Sequence, residues 1–355
     1  MACLLAVLPG PVGRAGVPGC VPLGARERVA QTIMSAIPGT GMDDLTRRIV
    51  TRHAGSGLLF GHNIEGRTQL RGLTGRLHRA AGPVRLLIAV DEEGGRVSRL
   101  GEAGLVSRLP APRGLARTAT VQDARRRGAR LGREMIELGV DWNLAPVLDV
   151  TDAPDDSVIG DRSFSGRAPR AAAFGRAFAE GLTRAGVVTT GKHFPGHGRT
   201  SVDSHQTLPT VRTRLGGLRR HDLLPYRKAL PFLGAVMAAH VRFTAIDRAR
   251  PASLSPEAAR LLRDELGFTG VLMTDALEMG AITNRWAVPE AAELALRAGA
   301  DMVLVTDPTA ADDVSARLLR ALRAGRLRPD RLDEAAGRVL RLKGYTAEET
   351  ACLLG

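Results

Sequence analysis

The chain has 355 residues, of which 44% are hydrophobic and 25% charged. That balance excludes a disordered chain, which lacks the apolar surface to offset ordering entropy. The formal net charge of +13 invites a nucleic-acid reading, yet the basic residues are scattered along helical stretches, and 8 Phe, 2 Trp and 2 Tyr leave no stacking platform for bases. No nucleic-acid partner is expected, and the charge reads as a solubilising surface bias.

In chain order, residues 1–27 read as a poorly ordered N-terminal segment. Met1 to Gly10 is apolar only briefly and lacks a basic start, so it supports a secretory signal poorly. Val17-Pro18-Gly19-Cys20 faintly resembles a lipoprotein cleavage site, but the prolines around it argue against one. A cytoplasmic location is expected, with export or lipid anchoring as the alternative if the N-terminus is incomplete. Cys3, Cys20 and Cys352 are odd in number and sit near the chain ends, which gives neither a disulfide framework nor a metal spacing. No apolar run approaches the roughly 20 residues that span a bilayer, so no membrane span is expected.

From residue 28 to 355 the pattern is that of one domain. Strand candidates fall at 32–37, 57–60, 86–90, 141–148, 187–191, 235–239, 270–274 and 302–305. Helical stretches lie between them, among them 124–138, 171–185, 255–266 and 289–298, where apolar residues such as Leu131, Met135 and Leu138 recur three and four apart. Arg125-Arg126-Arg127, with Arg130 and Arg133, reads as one solvated helix face. Strands alternating with helices predict a parallel sheet covered on both faces, and eight such strands close a barrel. The expected fold is α/β, a single (β/α)8 TIM-type barrel, as a monomer.

Polar residues cluster just after the strand candidates: Asp91, Asp149, Lys192 with His193, His240 and Asp275. In a barrel of parallel strands these ends open on one face, where the loops build the site.

The densest segment, residues 192–205, holds Lys192, His193, His197, Asp203 and His205 on a Gly- and Pro-rich loop. Asp203 and His205 are close enough to pair if the backbone turns, which makes a plausible acid/base unit. The same residues could supply metal ligands, but no helix carries a His pair at fixed spacing and no Cys accompanies them, so acid/base chemistry ranks above metal binding. In Thr274-Asp275-Ala276 an apolar strand delivers a carboxylate, either as a nucleophile or as a helix cap. Asp91-Glu92-Glu93-Gly94-Gly95 crowds three carboxylates at a strand end, suited to sugar hydroxyls or to a charged turn. Arg162 reads as a clamp on a polar substrate or as a surface ion pair.

Together these segments resemble glycoside hydrolase family 3, in its single-domain N-acetyl-β-glucosaminidase (β-N-acetylhexosaminidase) branch. The matching blocks are Gly57-Leu58-Leu59-Phe60 and residues 89–97, 143–150, 159–164, 192–205, 237–241, 251–256 and 274–279, in family order from about residue 28. Their co-occurrence is what makes the resemblance specific.

The resemblance implies a retaining, exo-acting hydrolase of terminal N-acetyl-β-glucosaminides, from peptidoglycan fragments or chitooligosaccharides, that needs no cofactor. It places Asp275 as nucleophile, His205 as acid/base and Asp203 as its partner. It assigns Asp91, Arg162, Lys192 and His193 to sugar hydroxyls. Arg199 stands where many relatives carry Asp or a small residue, and it reads as facing solvent. Phosphorolysis of the same bond, or a catalytically silent sugar-binding barrel, are the alternatives. The apolar pattern at 332–342 fits the family's closing helix.

Overall fold

The computed structural model describes residues 21–355. The expectations for the lipoprotein-like motif and for the first part of the N-terminal segment lie outside the described residues. The first described element, the helix Ala25–Gln31, opens ahead of residue 28. Just before it, the Leu23 N–H donates to Leu353 O at 2.8 Å, which ties the two described ends of the chain together.

Eight strands form the barrel: β1 (Ile33–Ala36), β2 (Ser56–Leu59), β3 (Leu87–Val90), β4 (Trp142–Asn143), β5 (Val188–Phe194), β6 (Ala235–Ala238), β7 (Val271–Ala276) and β8 (Met302–Val305). Each pairs in parallel with the next, and β8 returns to β1 through the register Ile33↔Val303, so the sheet is closed. The expected (β/α)8 barrel is the observed one.

The strands are largely apolar and buried because both faces are covered. Alternate residues serve different layers. Met34, Leu58, Leu87, Ala89, Trp142, Met237, Met273, Met302 and Leu304 fill one cluster inside the barrel. Their neighbours Ile33, Ile88, Val90, Val303 and Val305 belong to the larger cluster that packs under the helices.

The helices Val121–Glu137 and Ala168–Arg184 approach one another through glycines. A Cβ on Gly128 would lie 2.5 Å from Phe178 O, and one on Gly181 would lie 2.2 Å from Arg125 O. The outer face of the first helix exposes Arg126, Arg127, Arg130 and Arg133, the solvated basic face read from the sequence.

Three differences matter for the site. β4 covers only two residues of the expected 141–148, because Pro146 has no N–H to donate to a ladder; Val147 rejoins the sheet by a single bridge to Lys192. β5 and β7 run further than expected, so Lys192, His193 and Asp275 lie on strand ends and not in the loops beyond. Cys352, in the helix Ala347–Leu354, is disulfide-bonded, although the odd number of cysteines near the chain ends gave no sign of a disulfide framework. Bridging depends on proximity in the fold, which spacing between distant residues does not reveal.

Charge also clusters at the opposite end of the barrel. Asp301, at the start of β8, is fully buried among Arg263, Arg331 and Arg338 at 2.5, 2.8 and 3.0 Å, and it accepts from the Leu272 N–H. At the N-terminal end of the strands such a network holds helices to sheet.

Candidate active site

The hub of the C-terminal face is Glu93, which follows β3 and is buried. Arg162 grips it with two parallel bonds of 2.8 Å from Nε and Nη2. Lys192 Nζ donates to Glu93 Oε1 at 2.6 Å and to Asp91 Oδ1 at 2.5 Å. Burial alone would push the Glu93 carboxyl up, but Arg162 and Lys192 outweigh it and hold it far below its usual range. Burial likewise opposes charge on Lys192, yet Asp91 and Glu93 keep its ammonium held above its ordinary value. Glu93 and Lys192 therefore stay ionised, and Lys192 has one N–H beyond the two it spends here.

Glu92 turns the other way. Its carboxyl accepts from the Ser98 hydroxyl and from the Leu100 N–H at 2.7 Å, and burial raises it to about 7. It anchors the hairpin from which Asp91 and Glu93 project. Of the three carboxylates crowded at this strand end, only two face the site.

His193, at the end of β5, is oriented by Asp149, which follows the β4 segment. His193 Nδ1 lies 2.7 Å from Asp149 Oδ2, and since a carboxylate only accepts, that nitrogen carries the proton. Asp149 Oδ1 also accepts from the backbone N–H of His193 at 3.3 Å and of His197 at 2.6 Å. Burial works against the Asp149 charge, but His193 and His197 hold its carboxyl below the usual range. His193 Nε2 faces Arg162 Nη2 at 3.4 Å.

Asp275 lies on β7 among these groups. Burial disfavours its charge; His193, His240, the Ala276 N–H at 2.8 Å and Lys192 outweigh that and hold the carboxyl below its ordinary value. His240 follows β6 and is fully buried. Its Nε2 donates to Ala276 O at 2.8 Å, because a carbonyl can only accept, so Nδ1 at 2.7 Å from Ser253 Oγ is the acceptor. Burial pushes the His240 ring toward its neutral form, consistent with that tautomer. The ring braces the backbone beside Asp275.

Asp203 and His205 lie on the loop after β5. His205 Nδ1 is 2.8 Å from Asp203 Oδ1, which also accepts from the His205 N–H at 2.9 Å. Burial opposes the Asp203 charge, but its bonds to His205 outweigh it and hold the carboxyl below the usual range. The expected pairing is present. The pair is exposed, at 66% for the His205 side chain and 35% for Asp203. The loop reaches back to the nucleophile-candidate strand: Gly280 N–H donates to His205 O at 2.9 Å and Ala281 N–H to Ser204 O at 3.0 Å.

The structure thus brings Asp91, Arg162, Lys192, His193 and Asp275 together and sets Asp203 and His205 on a loop tied to the turn beyond Asp275. Arg162 is a clamp on Glu93, not a surface ion pair. Arg199 does not simply face solvent: its Nε lies 2.9 and 2.8 Å from the two carboxylate oxygens of buried Asp222.

Sequence reasoning grouped Glu93 with its neighbours as suited to sugar hydroxyls or a charged turn, set Asp149 and His240 on the site face without a specific role, and missed Arg113. The first three stand at strand ends, which was the available sign. Arg113 gave none: it sits in the helix Pro112–Thr118, is buried, and donates to Ala153 O, Asp155, Thr151 O and Gly160 O at 2.6, 2.7, 3.1 and 2.6 Å. It holds the segment whose short turn Gly160–Arg162 delivers Arg162.

Comparison with known proteins places this arrangement. Residues 25–342 match the family model described as the glycosyl hydrolase family 3 N terminal domain. A curated β-hexosaminidase, LpqI of Mycobacterium tuberculosis, is 39% identical over 346 residues, covering 93% of this chain and 85% of its own. The β-hexosaminidase of Pseudomonas aeruginosa is 38% identical over 318 residues, covering 88% and 92%. Among solved structures, a family 3 β-N-acetylglucosaminidase from Paenibacillus sp. superimposes with a TM-score of 0.86 at 36% identity, covering 93% of this chain and 68% of that one. The M. tuberculosis LpqI structure also gives 0.86, at 38% identity, covering 94% and 100%. A closed eight-stranded barrel with this carboxylate-rich mouth, matched along almost its whole length, belongs to glycoside hydrolase family 3.

Proposed function

We propose that the protein is a retaining, exo-acting β-N-acetylglucosaminidase that removes terminal N-acetyl-β-glucosamine from peptidoglycan fragments or chitooligosaccharides. The β-hexosaminidase relatives support hydrolysis of N-acetylglucosaminides. The observation that carries the finer reading is a carboxylate held ionised on a strand end, Asp275, together with a separate Asp203–His205 pair on a loop bonded to the turn beyond that strand.

Asp275 attacks the anomeric carbon while His205 Nε2–H protonates the leaving oxygen; the C–O bond to the aglycone breaks and a glycosyl–enzyme ester forms. His205, now deprotonated at Nε2, takes a proton from water, which attacks the same carbon and frees Asp275. Paired with Asp203, imidazolium and carboxylate are neutral overall, so no second negative charge faces the nucleophile. Lys192, Arg162 and His193 hold sugar hydroxyls with Asp91 as acceptor, all prepositioned by the Glu93 and Asp149 networks.

The test is release of 4-nitrophenol from its N-acetyl-β-glucosaminide and its β-glucoside, with and without phosphate, while NMR follows the first-formed sugar. Phosphate-independent release from the acetylated substrate, giving the β-anomer first, supports the reading. The α-anomer first contradicts retention, sugar 1-phosphate identifies a phosphorylase, and no turnover points to a silent binding barrel.

A further inference from the structure

The loop carrying Asp203 and His205 is held at three places. Its far limb is bonded to the turn after β7 through the carbonyls of Ser204 and His205, and Asn284 Nδ2 adds a bond to Gln206 O at 2.8 Å. Its middle is stitched by buried His197, whose Nδ1 and Nε2 meet the hydroxyls of Thr200 and Ser204 at 3.0 and 2.9 Å. Its near limb lies against Asp222, in the turn between the helices Leu215–Arg220 and Leu224–Ala229. There Gly196 has φ of 146°, and a Cβ on it would come 3.0 Å from that of Asp222.

The third tie is directional. Arg199 Nε is shared between the two oxygens of Asp222, whose side chain is 1% exposed while that of Arg199 is 31% exposed. A desolvated carboxylate facing a guanidinium is a strong, geometry-specific contact, and an unpaired one there is costly. It fixes a residue six positions before His205 to the flank of the barrel, while the far limb fixes His205 to the strand of Asp275. Residues 201 and 202 between them are exposed.

We propose that Arg199 is a positioning residue for the acid/base pair, and that its bond to Asp222 sets where His205 Nε2 stands relative to the leaving oxygen. This rests on the assignment of His205 made above. Proton transfer demands placement more strictly than sugar binding does, so losing the tie costs the protonation step first.

The test compares Arg199→Ala, Asp222→Asn, their double variant and Arg199→Lys, with His205→Ala as reference, on N,N′-diacetylchitobiose and on 4-nitrophenyl N-acetyl-β-glucosaminide. Each single variant is expected to lose roughly 30-fold in kcat/KM on the disaccharide and less than about threefold in kcat/KM on the aryl substrate, because kcat/KM reports formation of the glycosyl–enzyme, where the aryl leaving group needs little protonation. The double variant is expected to be no worse than either single one, and Lys is expected to recover part of the loss. If Asp222→Asn does not fold, recovery of Arg199→Ala by added ethylguanidinium replaces it. Equal losses on both substrates, additive losses, or no loss on the disaccharide would overturn the proposal. If His205→Ala itself shows no leaving-group dependence, the acid assignment falls and this inference falls with it; if only the Arg199 variants lack that dependence, this inference alone falls.

Discussion

Two Asp–His pairs stand at the mouth of the barrel with almost the same hydrogen bond and opposite surroundings. Asp149 Oδ2 and His193 Nδ1 are 2.7 Å apart with side chains 0% and 7% exposed; Asp203 Oδ1 and His205 Nδ1 are 2.8 Å apart with side chains 35% and 66% exposed. The first pair lies at strand ends, and its carboxylate is further bonded to two backbone N–H groups. It can orient a ring but has little freedom to pass a proton to and from water. The second sits on a loop at the surface, where its outer nitrogen can meet a leaving group and then a water. On the proposed mechanism the same contact serves placement in one location and proton exchange in the other, and burial decides which.

Removing the proposed nucleophile gives the largest effect. Asp275→Ala is expected to lower kcat/KM by roughly 10⁴-fold or more while circular dichroism stays unchanged. Rates near wild type would remove the reason for treating the two pairs differently. Breaking the sealed pair comes next. Asp149→Asn is expected to lower activity by about 10²-fold or more and stability by about 2–4 kcal/mol, since it leaves buried donors imperfectly met. Asp203→Asn is expected to cut activity by a comparable factor with a change in stability under about 1 kcal/mol, because the pair is exposed. Rate assays and chemical denaturation read both, and equal stability losses would break the comparison.

A smaller effect sharpens the sealed side. The Glu92 carboxyl titrates at about 7 in the folded protein against an ordinary 4.5, so the folded chain keeps a proton that the unfolded chain has released. Stability from this group is complete below the lower value and is lost as pH rises toward and past the upper one, by up to about 3 kcal/mol. Denaturant melts from pH 4.5 to 8 are expected to show that decline flattened in Glu92→Gln. An unchanged slope would mean that the hairpin is not under this strain. The smallest effect expected is that of a chelator, which should leave activity unchanged. Inactivation restored by a divalent metal would make the histidines ligands and erase the distinction between the pairs.

The barrel was legible in the sequence because its strands are short apolar runs at regular spacing with ionisable residues at their ends. The site was legible where chemistry is dense in sequence: the 192–205 segment and the Asp275 strand. What escaped was the support. Glu93 read as one of three carboxylates suited to sugar hydroxyls or a charged turn, since nothing local says which of them will be buried between Arg162 and Lys192, and Asp149 carried no sign of its bond to His193. Arg113 and the Arg199–Asp222 contact join segments remote in sequence, and only tertiary packing brings them together. The extension of β5 and β7 through Lys192, His193 and Asp275 was missed because polar residues end an apolar pattern before the backbone pairing ends. The disulfide at Cys352 escaped for the same reason of distance.

The most direct measurement is kcat/KM, which reports the step that forms the glycosyl–enzyme, across aryl N-acetyl-β-glucosaminides of graded leaving-group acidity, for wild type, His205→Ala and His193→Ala. The account predicts a steep dependence in His205→Ala, with near-normal rates on the best leaving groups, and a uniform loss in His193→Ala across the series. A flat His205→Ala profile, or the steep one appearing in His193→Ala, would contradict it.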